Sequence, residues 1–272
     1  MDEADLLKTD GTYIYTVSNQ IFSIILAYPS NKARVVSKMW FKDFNASALF
    51  LEGDYVAVFG TMWNYYSNSV DYTFIKILDV SNRGNPFWTR EFKVAGKYFD
   101  GRKLSNGFMY LVTNYEFTRS YQPIPWFDAG TGRIDLDFSS IFWYPSFIYI
   151  RPSAINILSF NLANPIGSRK KVVTICSESA GAMYMSERYI YLAINTTVNG
   201  VAHTQLRKIF VWGNYIIPFA DGQVVGTIKN QFSLDEYNFF LRIATTDWSA
   251  NNVFVLDYFL QPYGKLNNIA PN

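Results

Sequence analysis

Asp235 and Glu236, with Arg242 six residues beyond, and Asp100 with Arg102 are the residues whose types could do chemistry. Paired carboxylates on either side of a substrate are what glycosidic cleavage needs, one as acid and one as nucleophile or base. Each group sits at the entry to an apolar run, though, and acids in such places often hold a strand turn by bonding to backbone. The leading reading is a structural acid–arginine lock. A ligand-binding site at Asp100, Arg102, Asp235, Glu236 and Arg242 is the alternative.

Other catalytic chemistry has little to work with. His203 is the sole histidine and Cys176 the sole cysteine, so no residues stand at zinc-ligand spacing. Cys176 ends the apolar run 172–176, where a buried, inert thiol is expected. A serine nucleophile needs a sharp elbow and an oriented base. Ser177-Glu178-Ser179 lies in a turn without that context, and no G-x-S-x-G occurs. Gly130-Thr131-Gly132 does not stand between a strand and a helix, as a dinucleotide fingerprint would. Asp135-x-Asp137 lacks the glycine-bearing loop of about twelve residues that a calcium site uses. Neither a metal nor a cofactor is expected. Arg169-Lys170-Lys171 is the one basic cluster in a chain of net charge +2, and reads as a solvated loop, not a nucleic-acid patch. Asn45-Ala46-Ser47 and Asn195-Thr196-Thr197 are glycosylation sequons, which surface turns of an exported chain would present at Asn45 and Asn195.

The elements that must position these residues are strands. Aromatics make up 18% of the chain, and Tyr, Phe, Ile and Val fill its periodic segments, the types that suit a pleated surface. No window of a dozen or so residues carries a helical period. Residues 72–113 read as one complete β unit, with strands at 73–79, 88–94 and 108–113. A turn followed by an apolar strand recurs at 13–17, 55–59, 108–112, 189–193 and 241–245. Their starts are 42, 53, 81 and 52 residues apart. Such periods, with several short strands in each, are the signature of propeller blades. Residues 98–113 also align without a gap over 231–246. The fold class expected is all-β, a β-propeller of about five blade-like units in a single domain spanning 1–272. The last unit reads as incomplete and the ring as incomplete or open, and open blade edges would favour self-association.

The interval of 81 holds a long loop, about 115–152, rich in proline and aromatics. A loop of that length either packs on something or serves a function. It reads as a clamp across blade rims, or as a partner-contact surface built from Trp126, Phe127, Trp143 and Tyr144.

Four segments carry a resemblance to a known family. They are 3–15, 79–113, 226–246 and 252–271, and the run NQFSLDEY at 230–237 followed by 241–246 is the most distinctive. In these the chain resembles secreted or cell-surface proteins of archaea and some bacteria that carry a β-propeller domain distantly related to WD40 repeats. In that family the equivalent of 268–271 is followed by further blades, so this chain looks truncated at its C-terminus. The resemblance implies an extracellular or cell-surface location, with no catalytic residues to carry over; the partner expected there is a protein or a glycan. Met1–Asp5 is acidic and runs straight into a strand, so any export signal would lie upstream. No stretch approaches the roughly 18 apolar residues that span a bilayer. The function expected is a binding or scaffold module. The alternatives are a carboxylate-dependent hydrolase of an extracellular glycan or peptide, and a structural subunit of a surface assembly.

Overall fold

A computed structural model describes residues 1–42, 45–61, 72–116, 124–143, 153–247 and 250–269. The chain is all-β, and its contacts divide it into two compact units, Met1–Ser177 and Glu178–Asn272.

The first unit holds three sheets, each built on an antiparallel meander of four strands. The first sheet runs Leu7–Thr9, Tyr13–Ser18, Ile21–Leu26 and Arg34–Trp40. The second runs Asn45–Glu52, Tyr55–Thr61, Tyr72–Asp79 and Phe87–Ala95. The third runs Lys97–Lys103, Phe108–Glu116, Ser153–Asn161 and Lys171–Cys176. The second unit holds two sheets. One runs Ala182–Met185, Tyr189–Val198, Val201–Trp212 and Tyr215–Val225. The other runs Leu234–Tyr237, Phe240–Thr246, Asn251–Leu256 and Pro262–Leu266.

All five recurrent strands expected from the sequence are the second strand of their own sheet. Residues 72–113 are not one unit, however. Tyr72–Asp79 and Phe87–Ala95 are the last two strands of the second sheet's meander, and Phe108–Glu116 belongs to the third. The strand between, Lys97–Lys103, is charged and lacks alternation, which hid it. The fifth sheet is also complete, because Pro262–Leu266 supplies its fourth strand through pairing of Val253 with Leu266 and Leu256 with Pro262.

Two-sided burial explains the continuous apolar runs. In the second sheet Leu49, Val56, Val58, Phe74 and Leu78 pack with Tyr15, Phe22 and Ile24 of the first. Their neighbours Phe50, Ala57, Phe59, Ile75 and Ile77 pack with Met109, Leu111, Leu158 and Phe160 of the third. Successive side chains point to opposite faces, so a strand buried on both faces must be apolar throughout. Tyr191, Leu206, Leu241, Ile243 and Leu256 form the matching core of the second unit. Each Val, Leu, Ile, Phe or Met among them contributes about 1.5–3 kcal/mol on burial.

The passage from one sheet to the next is built alike in both units. At Ala95-Gly96 the Thr113 hydroxyl donates to the Ala95 carbonyl at 2.6 Å and Thr73 to that of Gly96 at 2.8 Å. At Val225-Gly226 Thr245 donates to Val225 and Thr204 to Gly226, both at 2.8 Å. Both glycines have φ near +90° (+93° and +87°), which a side chain would resist. Third strands also end alike, with Asp79, Asn161 and Asp257 accepting from backbone N–H groups two residues on.

Added strands cover several edges in the first unit. Asp2–Glu3 pairs with Lys97–Lys103, and Asp5 bridges to Leu49 before the chain enters the first sheet. Arg83, from the turn after Tyr72–Asp79, donates to Asp54 (2.5 Å) and to the Tyr15 hydroxyl (2.9 Å), and pairs with Asp10 at 3.5 Å. Tyr15 in turn donates to Asp10 at 2.8 Å, so this cluster joins the first two sheets.

Candidate functional site

Asp100 and Arg102 lie on Lys97–Lys103 in the first unit. The Arg102 guanidinium is nearly sealed, with 3% of its side chain exposed. Its Nη1 donates to Asp100 Oδ1 at 2.5 Å and to the Gly101 carbonyl at 2.8 Å. Its Nη2 stands 3.4 Å from Glu3 Oε1, which the added Asp2–Glu3 strand brings opposite. Two carboxylates thus serve one buried cation, as a desolvated charge requires. Burial pushes the Asp100 carboxyl above its usual range; Arg102 and the Gly101 N–H pull it down without cancelling that, and Glu3 adds to the rise. Beside them Lys103 reaches Glu52 of the second sheet at 2.6 Å.

Asp235, Glu236 and Arg242 lie in the second unit. Asp235 and Arg242 are direct cross-strand partners and form an exposed ion pair. Glu236 follows Asp235 on the same strand, so its side chain leaves from the opposite face. There it accepts from the Tyr191 hydroxyl at 2.7 Å, while its own N–H donates to the Tyr184 hydroxyl at 3.1 Å. Strand alternation keeps the adjacent acids from acting together.

Behind Glu236 lies a group the sequence reading missed. Lys208 is fully buried. Its Nζ donates to the Tyr258 carbonyl at 2.9 Å and stands 4.2 Å and 4.3 Å from the ring centres of Tyr189 and Tyr258. Tyr191 and Phe219 complete the cage at 5.5 Å, and the Tyr189 and Tyr258 hydroxyls share a 2.6 Å hydrogen bond. Burial lowers the Lys208 ammonium from its usual range, against the opposing pull of Glu236 and Asp257. Burial likewise raises the Tyr191 hydroxyl, helped by its bond to Glu236. The signal available in the sequence was the pair Arg207-Lys208 set between apolar residues of one strand, Leu206 and residues 209–211, where a buried cation needs aromatic neighbours.

The long loop adds strands to two sheets. Trp126–Asp128 pairs with the fourth strand of the second sheet, Phe127 opposite Val94, and Arg133–Asp135 pairs with it in turn. Trp126 meets Tyr72 at 5.4 Å, Arg133 covers Trp126, and Phe127 packs on the core beside Phe92. Ile141–Trp143 pairs in parallel with Lys171–Cys176. Trp126 and Phe127 thus pack against the second sheet, whereas Trp143 is 65% exposed. Tyr144 lies outside the described residues.

Asn45 is exposed at a strand start. The Asn195 amide is committed: its Nδ2 donates to the Ile228 carbonyl at 3.4 Å and its Oδ1 accepts from Ile228 N–H and Thr204. Cys176 is half-buried, and burial raises its thiol above the usual range. Asp135 pairs with Arg133 and Asp137 caps the turn at Ser139, and no cluster of metal-binding residues occurs among the described residues. No helix among them is long and apolar enough to cross a membrane.

Open cavities occur at two places among the described residues. One, of about 320 Å³, is lined by Lys76, Trp88, Thr89, Arg90 and Glu91. The other, of about 220 Å³, is lined by Val225, Asp247, Asn252, Phe254, Lys265, Asn267 and Asn268. Asp100, Asp235 and Glu236 line neither.

A family model described as "Beta propeller domain" matches residues 1–272. An uncharacterised protein of Methanocaldococcus jannaschii, MJ1554, is 23% identical over 99% of this chain and 53% of its own length. A second uncharacterised protein, from Archaeoglobus fulgidus, is 54% identical over 17% of this chain and 8% of its own. The chain therefore spans about half of one relative and a small part of the other. Among solved structures, a eukaryotic initiation factor aligns over 96% of this chain and 64% of its own, at 13% identity and a TM-score of 0.45. The N-terminal domain of Nup159 aligns over 100% and 75%, at 10% identity and a TM-score of 0.33.

Proposed function

Because the chain belongs to the beta propeller domain family from residue 1 to residue 272, we propose that it is a binding or scaffold module of the cell surface with no catalysis of its own. The observation that carries this is the fate of the candidate acids. Asp235 is neutralised at the surface by Arg242, Glu236 faces the other way into tyrosines, and Asp100 is tied to Arg102. Hydrolysis would need two of them converging on a cavity. Family resemblance supports the extracellular location, and the partner proposed there is a protein or a glycan.

The test has two arms. The chain is assayed against chromogenic glycosides and a peptide substrate, beside an Asp100→Asn, Asp235→Asn, Glu236→Gln triple variant. No turnover above the variant's background is expected, and turnover that the variant abolishes would establish the hydrolase instead. Protease shaving of intact cells of the source organism should release its peptides; protection until lysis would overturn the surface location.

One observation favours a second reading, that of a subunit in a surface assembly. The fourth strands Arg34–Trp40, Tyr215–Val225 and Pro262–Leu266 end their sheets and carry exposed Trp40, Tyr215 and Tyr263. Unpaired strand edges with apolar side chains invite pairing with another chain. Sedimentation of the isolated chain as a monomer at high concentration would remove this reading.

A further inference from the structure

We propose that the 220 Å³ cavity of the second unit is a saccharide-binding site that takes a single sugar residue through Asp247, Asn252, Lys265, Asn267 and Asn268. The inference deepens the reading of the chain as a binding module and rests on it.

The polar lining is what selects the ligand. Asp247 and Lys265 are its charged residues, one of each sign, so the cavity has no net pull on an anion or a cation. Three amides accompany them, and an amide both donates and accepts. Sugar hydroxyls do the same, and a ring of them suits a wall that mixes a carboxylate, an ammonium and amides. Phe254 and Val225 supply the apolar part that a sugar's C–H faces need.

The site is also built in advance. Asn252 is only 5% exposed, yet it lines the cavity. Its Nδ2 donates to Asp247 Oδ2 at 3.1 Å, and Asp247 Oδ1 accepts from the Ala250 N–H at 2.9 Å. At the rim Lys265, Asn267 and Asn268 are exposed, and the Lys265 ammonium lies over the Phe254 ring at 5.2 Å. Ordering the inner groups beforehand spares a ligand that cost. The volume holds about seven waters at roughly 30 Å³ each, the space of one pyranose ring and not of a long chain.

The test is an NMR titration of the ¹⁵N-labelled chain with methyl α-D-mannopyranoside, methyl β-D-glucopyranoside, methyl β-D-galactopyranoside and methyl N-acetyl-β-D-glucosaminide. At least one should give saturable shifts confined to the amides of Asn252, Lys265 and Asn267, with Kd on the order of 1–10 mM, as a single small site allows. Asn267→Ala, an exposed change, should keep the wild-type melting temperature and weaken that binding at least tenfold; Asp247→Ala should do so more strongly. The proposal fails if no glycoside saturates below about 100 mM, the upper limit of weak specific binding. It fails too if glycerol or sodium phosphate gives the same shifts, or if Asn267→Ala leaves the affinity unchanged. The titration reads this cavity alone. Its failure leaves a non-catalytic module with other contact surfaces, whereas turnover in the hydrolysis assay would sink the module and leave the cavity's affinity standing.

Discussion

Replacing Lys208 separates the worth of its charge from the worth of its bulk. Two rings within 4.3 Å of the ammonium can each contribute up to about 2 kcal/mol when desolvated. The bond to the Tyr258 carbonyl adds about 1.5–3 kcal/mol, as a charged hydrogen bond does. Against this stands a desolvation cost of several kcal/mol for a buried ammonium. Lys208→Met keeps most of the volume and gives up both sides of this balance, so the net change at pH 7 should be within about 2 kcal/mol of zero. Lys208→Ala also opens a cavity and should lose about 2–5 kcal/mol. pH distinguishes the charge. The folded ammonium titrates below its unfolded value of about 10.4, so as pH rises through that window the folded state sheds a proton the unfolded state keeps. Wild type must therefore gain stability relative to the Met variant between pH 7 and pH 9.5. Urea unfolding of both proteins at the two values measures it. A Met variant more than about 3 kcal/mol less stable, with a gap that ignores pH, would show that the cage binds the cation at a profit and refute the argument.

Other predictions concern the framework. Gly96→Ala would set a Cβ 2.7 Å from the Asn114 carbonyl oxygen, and Gly226→Ala one 2.8 Å from Thr245 Oγ1, both at positive φ; each should cost about 2–4 kcal/mol in thermal unfolding, and losses under about 1 kcal/mol would contradict the geometry. Partial desolvation tends to raise the Asp10 carboxyl, but the Tyr13 and Thr12 N–H groups, the Tyr15 hydroxyl and Arg83 outweigh that and hold it below its usual range. Its contribution is thus present above the unfolded value of about 3.9 and fades as pH falls below it. Asp10→Asn should cost stability at pH 7 and show a shallower decline between pH 5 and pH 3 by urea midpoints; parallel acid limbs would refute this.

The strands were legible because burial on both faces turns them into recurring apolar runs, as in Tyr55–Thr61 and Phe108–Glu116. First strands were not, because Lys97–Lys103 and Leu234–Tyr237 carry charges that break the apolar pattern. The acid–arginine locks could be read from neighbouring residues, Asp100 with Arg102 and Asp235 with Arg242. The Lys208 cage could not, since Tyr189 and Tyr258 reach each other across 69 residues. The paired threonines at the sheet crossovers stand 22 or 23 residues before their glycine's carbonyl and 18 or 20 after the preceding one, a spacing visible only once both crossovers are known.

The short strand Asp2–Glu3 has a consequence for synthesis. Asp2 and Glu3 find their backbone partners at Lys103 and Arg102, so this edge of the third sheet forms only once the chain about a hundred residues further on has emerged. Until then Glu3 has no Arg102 beside it. A rigid insertion between Glu3 and Leu7 would hinder that late pairing and slow maturation of the unit, even though it touches none of its core.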